Sequence, residues 1–245
     1  MSNLAHTIPT PSAYSDVDLL APYIRLQGED LLKEMIGTVF PGRITVSSSI
    51  GAESAVLLDM VARIDPSTPV IFLDTGMLFR ETLEYKDLLQ QRLGLTDIRV
   101  VRPDGDELRR IDPEQRLHET NHDACCRLRK VNPLRQALHG FDAWITGRKR
   151  FHGGQRSTLP ILENDDGRLK INPLAGWSQA QIDQAFDQRG LPRHPLVFEG
   201  YLSLGCEPCT QKFTCKENIR AGRWAGSGKS ECGIHTQSLF RQDKS

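Results

Sequence analysis

The feature that most constrains this chain is an alternation of short apolar runs with amphipathic stretches through its first half. Arg43-Ile44-Thr45-Val46 reads as a strand, Pro69-Val70-Ile71-Phe72-Leu73 as a second, and Asp97 to Val101 as a third. A helix from Gly28 to Phe40, ended by Pro41-Gly42, has Leu31, Leu32, Met35, Ile36 and Val39 at helical spacing. A second, from Ala52 to Arg63, turns Val56, Leu57, Met60 and Val61 inward, and a third runs from about Leu78 to Leu93. Parallel strands need a crossover, and a helix supplies it. The pattern therefore predicts an α/β fold, a mostly parallel sheet with helices on both faces. In such a sheet the ligand sits beyond the carboxyl ends of the strands. Two loops of small polar residues fall at that edge, Ser47-Ser48-Ser49-Ile50-Gly51-Ala52-Glu53-Ser54 and Asp74-Thr75-Gly76.

The second half carries a helix around Ala124 to Leu138, with Cys125-Cys126 near its start, and a strand from Phe141 to Thr146. A basic loop follows, Gly147 to Arg156, then short strands at Leu159 to Leu162 and Leu169 to Ile171. Ser178 to Arg189 is helical, with Ser178 as its N-cap. After Pro192 and Pro195 regular signals fade. The expected organisation is a loose arm over residues 1–20, an α/β domain over 21–225 and a tail over 226–245. Gly226, Gly228 and Gly233 give that tail freedom to move.

The chain has 245 residues and equal numbers of Lys+Arg and Asp+Glu, 31 of each. It offers no overall basic field for nucleic acid, so any anion site is local. No run approaches the roughly 18 apolar residues of a membrane helix. Met1 to Ser15 lacks the basic and apolar regions of a secretory signal, so a cytoplasmic location is expected. Trp144, Trp177, His118, His122, His139, His152 and His194 read as packing residues. Arg129, Arg148, Lys149 and Arg150 read as solvated surface.

A strand, a Ser/Gly turn and a helix start are how backbone N–H groups are aimed at an anion. Ser47, Ser48, Ser49, Gly51 and, from the second loop, Asp74 are thus candidate nucleotide-binding residues. The first loop is neither a Walker loop nor G-x-G-x-x-G. An ordinary β–α turn with serine caps would read the same, and the second small loop at the same edge favours a nucleotide pocket.

Six cysteines stand at Cys125, Cys126, Cys206, Cys209, Cys215 and Cys232. In a reduced compartment their clustering points to metal or redox work rather than to a disulfide framework. Cys206-x-x-Cys209 is a common metal or redox pair. Adjacent Cys125 and Cys126 diverge by roughly 100° on a helix, which suits separate iron atoms of a cluster better than one tetrahedral zinc. Four thiolates is the usual count for a 4Fe-4S cluster. Spacing alone leaves four-thiolate zinc open. Cys215 has no motif partner and reads as a small buried or semi-exposed residue.

These segments resemble, in order, those of the assimilatory adenylyl-sulfate reductases, within the phosphoadenylyl-sulfate reductase family. The match runs through Ser-Ser-Ser-Ile-Gly-Ala-Glu-Ser at 47–54, Leu-Asp-Thr-Gly at 73–76 and Cys-Cys-Arg-Leu-Arg-Lys at 125–130. It continues with Gly-Tyr-Leu-Ser-Leu-Gly-Cys-Glu-Pro-Cys-Thr at 200–210 and Glu-Cys-Gly-Ile-His at 231–235. Ile50 departs from the serine or phenylalanine that members often carry. The resemblance implies an adenine-nucleotide α-hydrolase-like sheet and reduction of adenylyl sulfate to sulfite and AMP, in sulfate assimilation and cysteine biosynthesis. It implies that Cys232 attacks the sulfur to form an S-sulfocysteine, which thioredoxin or a glutaredoxin-like dithiol then releases. It implies that Cys125, Cys126, Cys206 and Cys209 hold a 4Fe-4S cluster. Lys130, Arg156, Arg220, Arg223 and His235 become candidates to hold the phosphosulfate.

Arg220 and Arg223 are three apart, which on a helix puts them on one face. Lys229 and His235 favour a Cys232 thiolate, and Glu231 opposes it. A homo-oligomer is compatible with the sequence. The competing readings are the 3′-phosphorylated substrate alone or in addition, a zinc-stabilised nucleotide-binding module without catalysis, and an ATP-using sulfur transferase acting on RNA. The lack of a basic patch weighs against the last.

Overall fold

The structure is a computed structural model, and it describes residues 20–165, 167–213, 219–225, 228–236 and 239. The expected arm, apart from Leu20, and Cys215 lie outside the described residues. One six-stranded sheet has the order β3-β2-β1-β4-β6-β5. Its strands are β1 (Ile44–Ser48), β2 (Val70–Leu73), β3 (Ile98–Val101), β4 (Ala143–Thr146), β5 (Leu162–Asp165) and β6 (Arg168–Ile171). Neighbours are parallel except β5, which pairs antiparallel with β6 at the edge. The helices are α1 (Gly28–Glu34), α2 (Ser54–Ile64), α3 (Arg80–Leu93), α4 (Gly105–Ile111), α5 (Leu117–Thr120), α6 (His122–Cys126), α7 (Asn132–Ala137), α8 (Gln179–Arg189) and α9 (Gly233–Thr236).

Side chains along a strand alternate between faces, so each strand feeds two cores. On one face Ile44, Val46, Val70, Phe72, Ile145 and Ile171 meet the inner sides of α1, α2, α3 and α8, from Leu31 to Phe186. On the other, Ile71 and Trp144 meet Leu134 and Leu138, at α7 and just beyond it, together with Leu239 of the tail. The second core is therefore completed by the last described residue of the chain.

The chain runs from β1 outward to β3, then returns to place β4 on the other side of β1. That reversal parts the connections leaving β1 and β4 and opens a crevice at their carboxyl ends.

Several boundaries differ from the sequence reading, each for a local reason. The edge strand starts at Leu162 instead of Leu159. Pro160 has no N–H for a ladder, and its carbonyl is taken by the Asn172 side chain at 2.9 Å. The helix around Cys125 starts at His122, where Asn121 caps the Ala124 amide at 2.9 Å. It then widens into a π-turn over Arg127–Val131 before α7. Pro133 removes the amide that would have bonded the Arg129 carbonyl, which is how proline disturbs a helix four residues back. The sequence reading was silent on α4 and α5; Asp104 starts α4 by accepting from the amides of Asp106 and Glu107 at 2.9 and 2.8 Å. No helix among the described residues is long and apolar enough to cross a membrane.

The start of α8 matches expectation. Ser178 accepts from the Gln181 amide, and the Ser178 amide donates to Gln181 Oε1 at 2.8 Å, forming a capping box. Ser178→Ala is expected to lower stability by about 1 kcal/mol. Urea unfolding with an unchanged m-value measures it, and a midpoint equal to that of the parent would contradict the assignment.

Candidate active site

A cavity opens at the crevice between the ends of β1 and β4. Ser47, Ser48, Ser49 and Gly51 line it from the β1 side, and Thr146, Gly147 and Arg148 from the β4 side. The first loop is narrower than expected because β1 runs on through Ser48. Ile50 then turns the chain at φ 49° while fully buried. That is a strained conformation for a β-branched residue. Two loop amides are satisfied within the loop. The Ile50 N–H bonds the Ser48 hydroxyl oxygen at 3.2 Å, and the Gly51 N–H bonds Ser54 at 2.9 Å. Hydroxyls thus shape this loop, where the sequence suggested a row of amides aimed at an anion.

The second loop separates its residues. Thr75 lines the cavity, whereas Asp74 is not among its walls. One Asp74 oxygen accepts from the Gly76 amide at 3.1 Å, and the other pairs with Arg102 at 2.9 Å. Asp74 therefore closes its own turn and does not face the candidate site, a correction to the sequence reading.

Basic residues crowd the opposite wall. Lys149 and Arg148 are buried there, at 3% and 6% exposure, and Arg129, outside this cavity, is buried at 2%. The expectation that all three were solvated surface is overturned, because each has an acidic partner distant in sequence. Lys149 pairs with Glu53 at 2.7 Å, Arg129 with Asp112 at 2.7 Å, and Arg148 with Glu163. Arg150 is exposed, as expected. His152 is a cavity residue, where packing was expected, and it meets Glu53 at 3.0 Å. His194 is a core histidine as expected, bonded to Thr82 at 3.0 Å.

The tail lies docked in this site. Glu231, Cys232, Ile234 and His235 all line the cavity. The Glu231 carboxylate is 4% exposed and receives Arg156 Nη2 at 2.8 Å and Arg220 Nη2 at 3.1 Å. Burial opposes its ionisation, but the Arg156 hydrogen bond and the two guanidinium charges prevail and hold it at about 2. The same carboxylate accepts the Cys232 amide at 2.8 Å. Glu231 thus spends its charge on two arginines instead of opposing the thiol. Lys229 is turned to Asp123 on α6 and to the Trp224 ring.

Arg220 and Arg223 do not share a helix. They converge through a turn closed by the Arg223 amide on the Arg220 carbonyl at 2.9 Å. Arg223 lies over Trp224, 4.4 Å from the ring centroid, and donates to the Leu204 carbonyl at 2.6 Å. A Cβ on Gly205 would come within 2.1 Å of that guanidinium, so any larger residue there would displace Arg223 from its seat. Burial, with Arg156 close by, lowers Arg220 to about 10, still cationic near neutrality. Lys130 is cationic too: burial disfavours its charge, and Cys206, Cys232 and Cys126 restore it.

Cys232 is 9% exposed and sits against Cys126 at the start of α9. A hydrogen bond from Cys126 holds its thiol well below the usual range; burial opposes this, and Lys130, the Ile234 amide and Arg223 support it. Cys126 is pushed up in exchange. Were Cys126 a thiolate ligand, its contribution would vanish and those of Lys130 and Arg223 would remain. A Cβ on Gly233 would press on Val131 at 3.2 Å, so the residue after Cys232 packs on the helix that carries Cys126. His235 stacks on Trp144, with ring centroids 6.3 Å apart and planes 10° apart. Burial first, then Lys170 and Arg148, push its imidazole well below the usual range, so it is neutral, and its Nδ1 is buried with no hydrogen-bond partner among the described residues.

The other four described cysteines share a second, smaller cavity beside the first. Cys125 and Cys126 approach it from α6, Cys206 and Cys209 from the loop after Gly205, and Lys130 lines both cavities. The loop is pinned by the Glu207 amide on the Met77 carbonyl at 2.8 Å and by the Trp224 amide on Cys209 at 3.0 Å. Thr75 Oγ1 lies 3.2 Å from Cys206 Sγ. His118 and His122, expected to be packing residues, line this second cavity as well. Among the described residues, no group of three or more His, Cys, Asp or Glu side chains is arranged to hold a metal ion. The donor chemistry nonetheless fits an iron–sulfur cluster: four thiols facing one cavity, with Arg129 and Lys130 beside them to offset thiolate charge.

Fold and crevice define an α/β protein with a mostly parallel sheet and a ligand crevice at its carboxyl edge. The chain belongs to the phosphoadenosine phosphosulfate reductase family, whose domain description, "Phosphoadenosine phosphosulfate reductase domain", matches residues 43–212. It is 48% identical over 219 residues to the "Adenosine 5'-phosphosulfate reductase" of Mesorhizobium japonicum, covering 89% of this chain and 86% of that one. It is 45% identical over 234 residues to the protein of the same name from Chelativorans sp., covering 94% and 95%. A crystal structure of phosphoadenylyl-sulfate (PAPS) reductase from Candida auris, a phosphate complex, superposes with a TM-score of 0.67 at 28% identity, over 80% of this chain and 97% of that one.

The buried histidines make the fold sensitive to acid. Burial pushes His152 down to about 4, with Glu53 pulling the other way, and burial alone pushes His194 down to about 4. Between an unfolded value of about 6.5 and the folded value, the unfolded chain binds more protons. Stability is therefore lost as pH falls from about 6.5 towards 4, by up to about 1.4 kcal/mol per pH unit for each histidine. Imidazole NMR titration checks this directly, and midpoints near 6.5 for both rings would contradict it.

Proposed function

We propose that this chain reduces adenylyl sulfate to sulfite and AMP, with Cys232 as nucleophile. The observation that carries this reading is the placement of a buried thiol beside Lys130 and Arg223 in a cavity at the nucleotide edge of the sheet. The names of the relatives supply the substrate class. In the first step the Cys232 thiolate attacks the sulfate sulfur. An S–S bond forms, the S–O bond to the phosphate breaks, and AMP departs with the electron pair. In the second, one thiolate of thioredoxin or a glutaredoxin-like dithiol attacks Cys232 Sγ and expels sulfite. The second thiol of the partner resolves the mixed disulfide and releases the Cys232 thiolate, so the dithiol supplies the two electrons.

The residues divide this work. Adenylyl sulfate is anionic at both phosphate and sulfate, and the thiolate adds charge, so several cations must meet them. Lys130, Arg220, Arg223 and Arg156 are the cations offered to the ligand, Arg148 and Lys149 in the same wall being paired with Glu163 and Glu53, and arginine binds two oxygens at once. Arg156 and Arg220 hold the Glu231 carboxylate when the tail is closed, so an incoming anionic group shares or replaces that contact. His235, neutral, donates a hydrogen bond without adding charge. Ser47, Ser48, Ser49 and Gly51 form the nucleotide side of the cavity. Cys125, Cys126, Cys206 and Cys209 would hold a 4Fe-4S cluster, which would tie α6 to the 206–209 loop and add its charge beside Lys130. The setting is sulfate assimilation and cysteine biosynthesis in the cytoplasm.

The test is mass spectrometry of the anaerobically purified protein mixed with adenylyl sulfate without a reductant. One added SO₃ is expected on Cys232 and none in Cys232→Ser, with sulfite released when reduced thioredoxin is added. Full turnover by Cys232→Ser would overturn the assignment. The same preparation is expected to be brown, absorbing near ~400 nm as iron–thiolate ligation does. A colourless zinc protein would favour the non-catalytic binding module instead. Equal rates with the 3′-phosphorylated nucleotide would make this a dual-substrate enzyme.

A further inference from the structure

Beyond the reactive motif, the tail ends in a built contact. Leu239, seven residues past Cys232, is 1% exposed. It sits among Ile71 of β2, Trp144 of β4, and Leu134, Leu138 and Phe141 at and beyond α7. Its amide donates to Asp165 Oδ1 at 3.1 Å, and Arg135 Nε donates to its carbonyl. Asp165, at the end of β5, is itself buried at 5% exposure. None of Leu239, Asp165 and Arg135 lines the nucleotide cavity. On the other side of Cys232, the tail is fastened by Glu231 to Arg156 and Arg220 and by Lys229 to Asp123. Cys232 thus lies on a segment held at both ends, with Ile234 packed on the same apolar cluster as Leu239.

We propose that Leu239, held by Asp165 and Arg135, is the anchor that keeps Cys232 seated in the cavity. It is a positioning residue acting through the short helix α9, and this role rests on the reading that Cys232 is the attacking thiol. The anchor has opposite effects on the two half-reactions. Seating the thiol favours attack on the sulfate sulfur, because reacting atoms held in place avoid the loss of freedom at the moment of reaction. A dithiol partner needs access to Cys232 Sγ, which is buried in the docked state, so the anchor must yield before sulfite is released.

The test uses the full chain, purified anaerobically with its cluster, as Leu239→Ala, Leu239→Met and Arg135→Ala. Iodoacetamide labelling of Cys232, followed by peptide mass mapping, reads docking without reference to catalysis. Leu239→Ala is expected to label at least tenfold faster and to form the SO₃ adduct at least tenfold more slowly at saturating adenylyl sulfate, with unchanged affinity for AMP. Leu239→Met restores both. Arg135 is exposed on α7, so its loss spares the core, and about threefold effects in the same directions are expected even if Leu239→Ala does not fold. Labelling within twofold of the parent in the folded variants would overturn the anchor while leaving the reductase reading intact. Faster labelling with no adduct in any protein, parent included, would uphold the anchor and overturn the reductase reading.

Discussion

The carboxylate of Glu231 ties the reactive turn of the tail to the body of this protein. Glu231 lies between Arg156 and Arg220 and accepts the amide of the next residue, Cys232. A buried carboxylate stripped of its guanidinium partners would be left uncompensated, at a cost of about 3–5 kcal/mol. With both in place it is a stable fixture, and it sets the position of the following sulfur through a single peptide unit. The same two guanidinium groups belong to the candidate anion site. Closure of the tail and reception of an anionic ligand therefore draw on the same charges, and each state of the site is defined by which oxygens those arginines face.

The sheet depends on this closure as well. One face is covered by helices α1, α2, α3 and α8, while the other is completed at Ile71 and Trp144 by Leu239. His235 stacks on the same Trp144, whose ring also carries Lys170 at 4.8 Å. The glycines of the tail give it latitude, but apolar packing and three ion pairs give it a seat. The cysteine of a flexible end thus becomes a buried thiol at the crevice where the chain reverses from β3 to β4.

Much of this was legible in the sequence because it is local. The β-branched runs at Ile44 and Val70 are strands wherever they pack, and the helical stripe of Val56, Leu57, Met60 and Val61 faces the core as its period requires. Ser178 and Gln181 announce a helix start three residues apart. What sequence could not reveal was set by distant partners. Lys149 and Glu53 are 96 positions apart, so nothing local marks Lys149 as buried. Asp74 reads as a ligand residue until Arg102 is found holding it away from the cavity. Glu231 reads as a charge opposing the thiol until Arg156, 75 positions earlier, takes it up. The π-turn had a local signal in Pro133 that periodicity alone passes over.

The central claim is that Glu231 and its two arginines place Cys232 for attack. The most direct measurement is the single-turnover rate of SO₃ transfer to Cys232 in Glu231→Gln at saturating adenylyl sulfate, beside nucleotide affinity measured with AMP. The account predicts a rate at least tenfold below the parent, because the charge-assisted contacts are worth roughly 1.5–3 kcal/mol, with AMP binding as tight as in the parent or tighter. A parental rate of transfer in Glu231→Gln would contradict it.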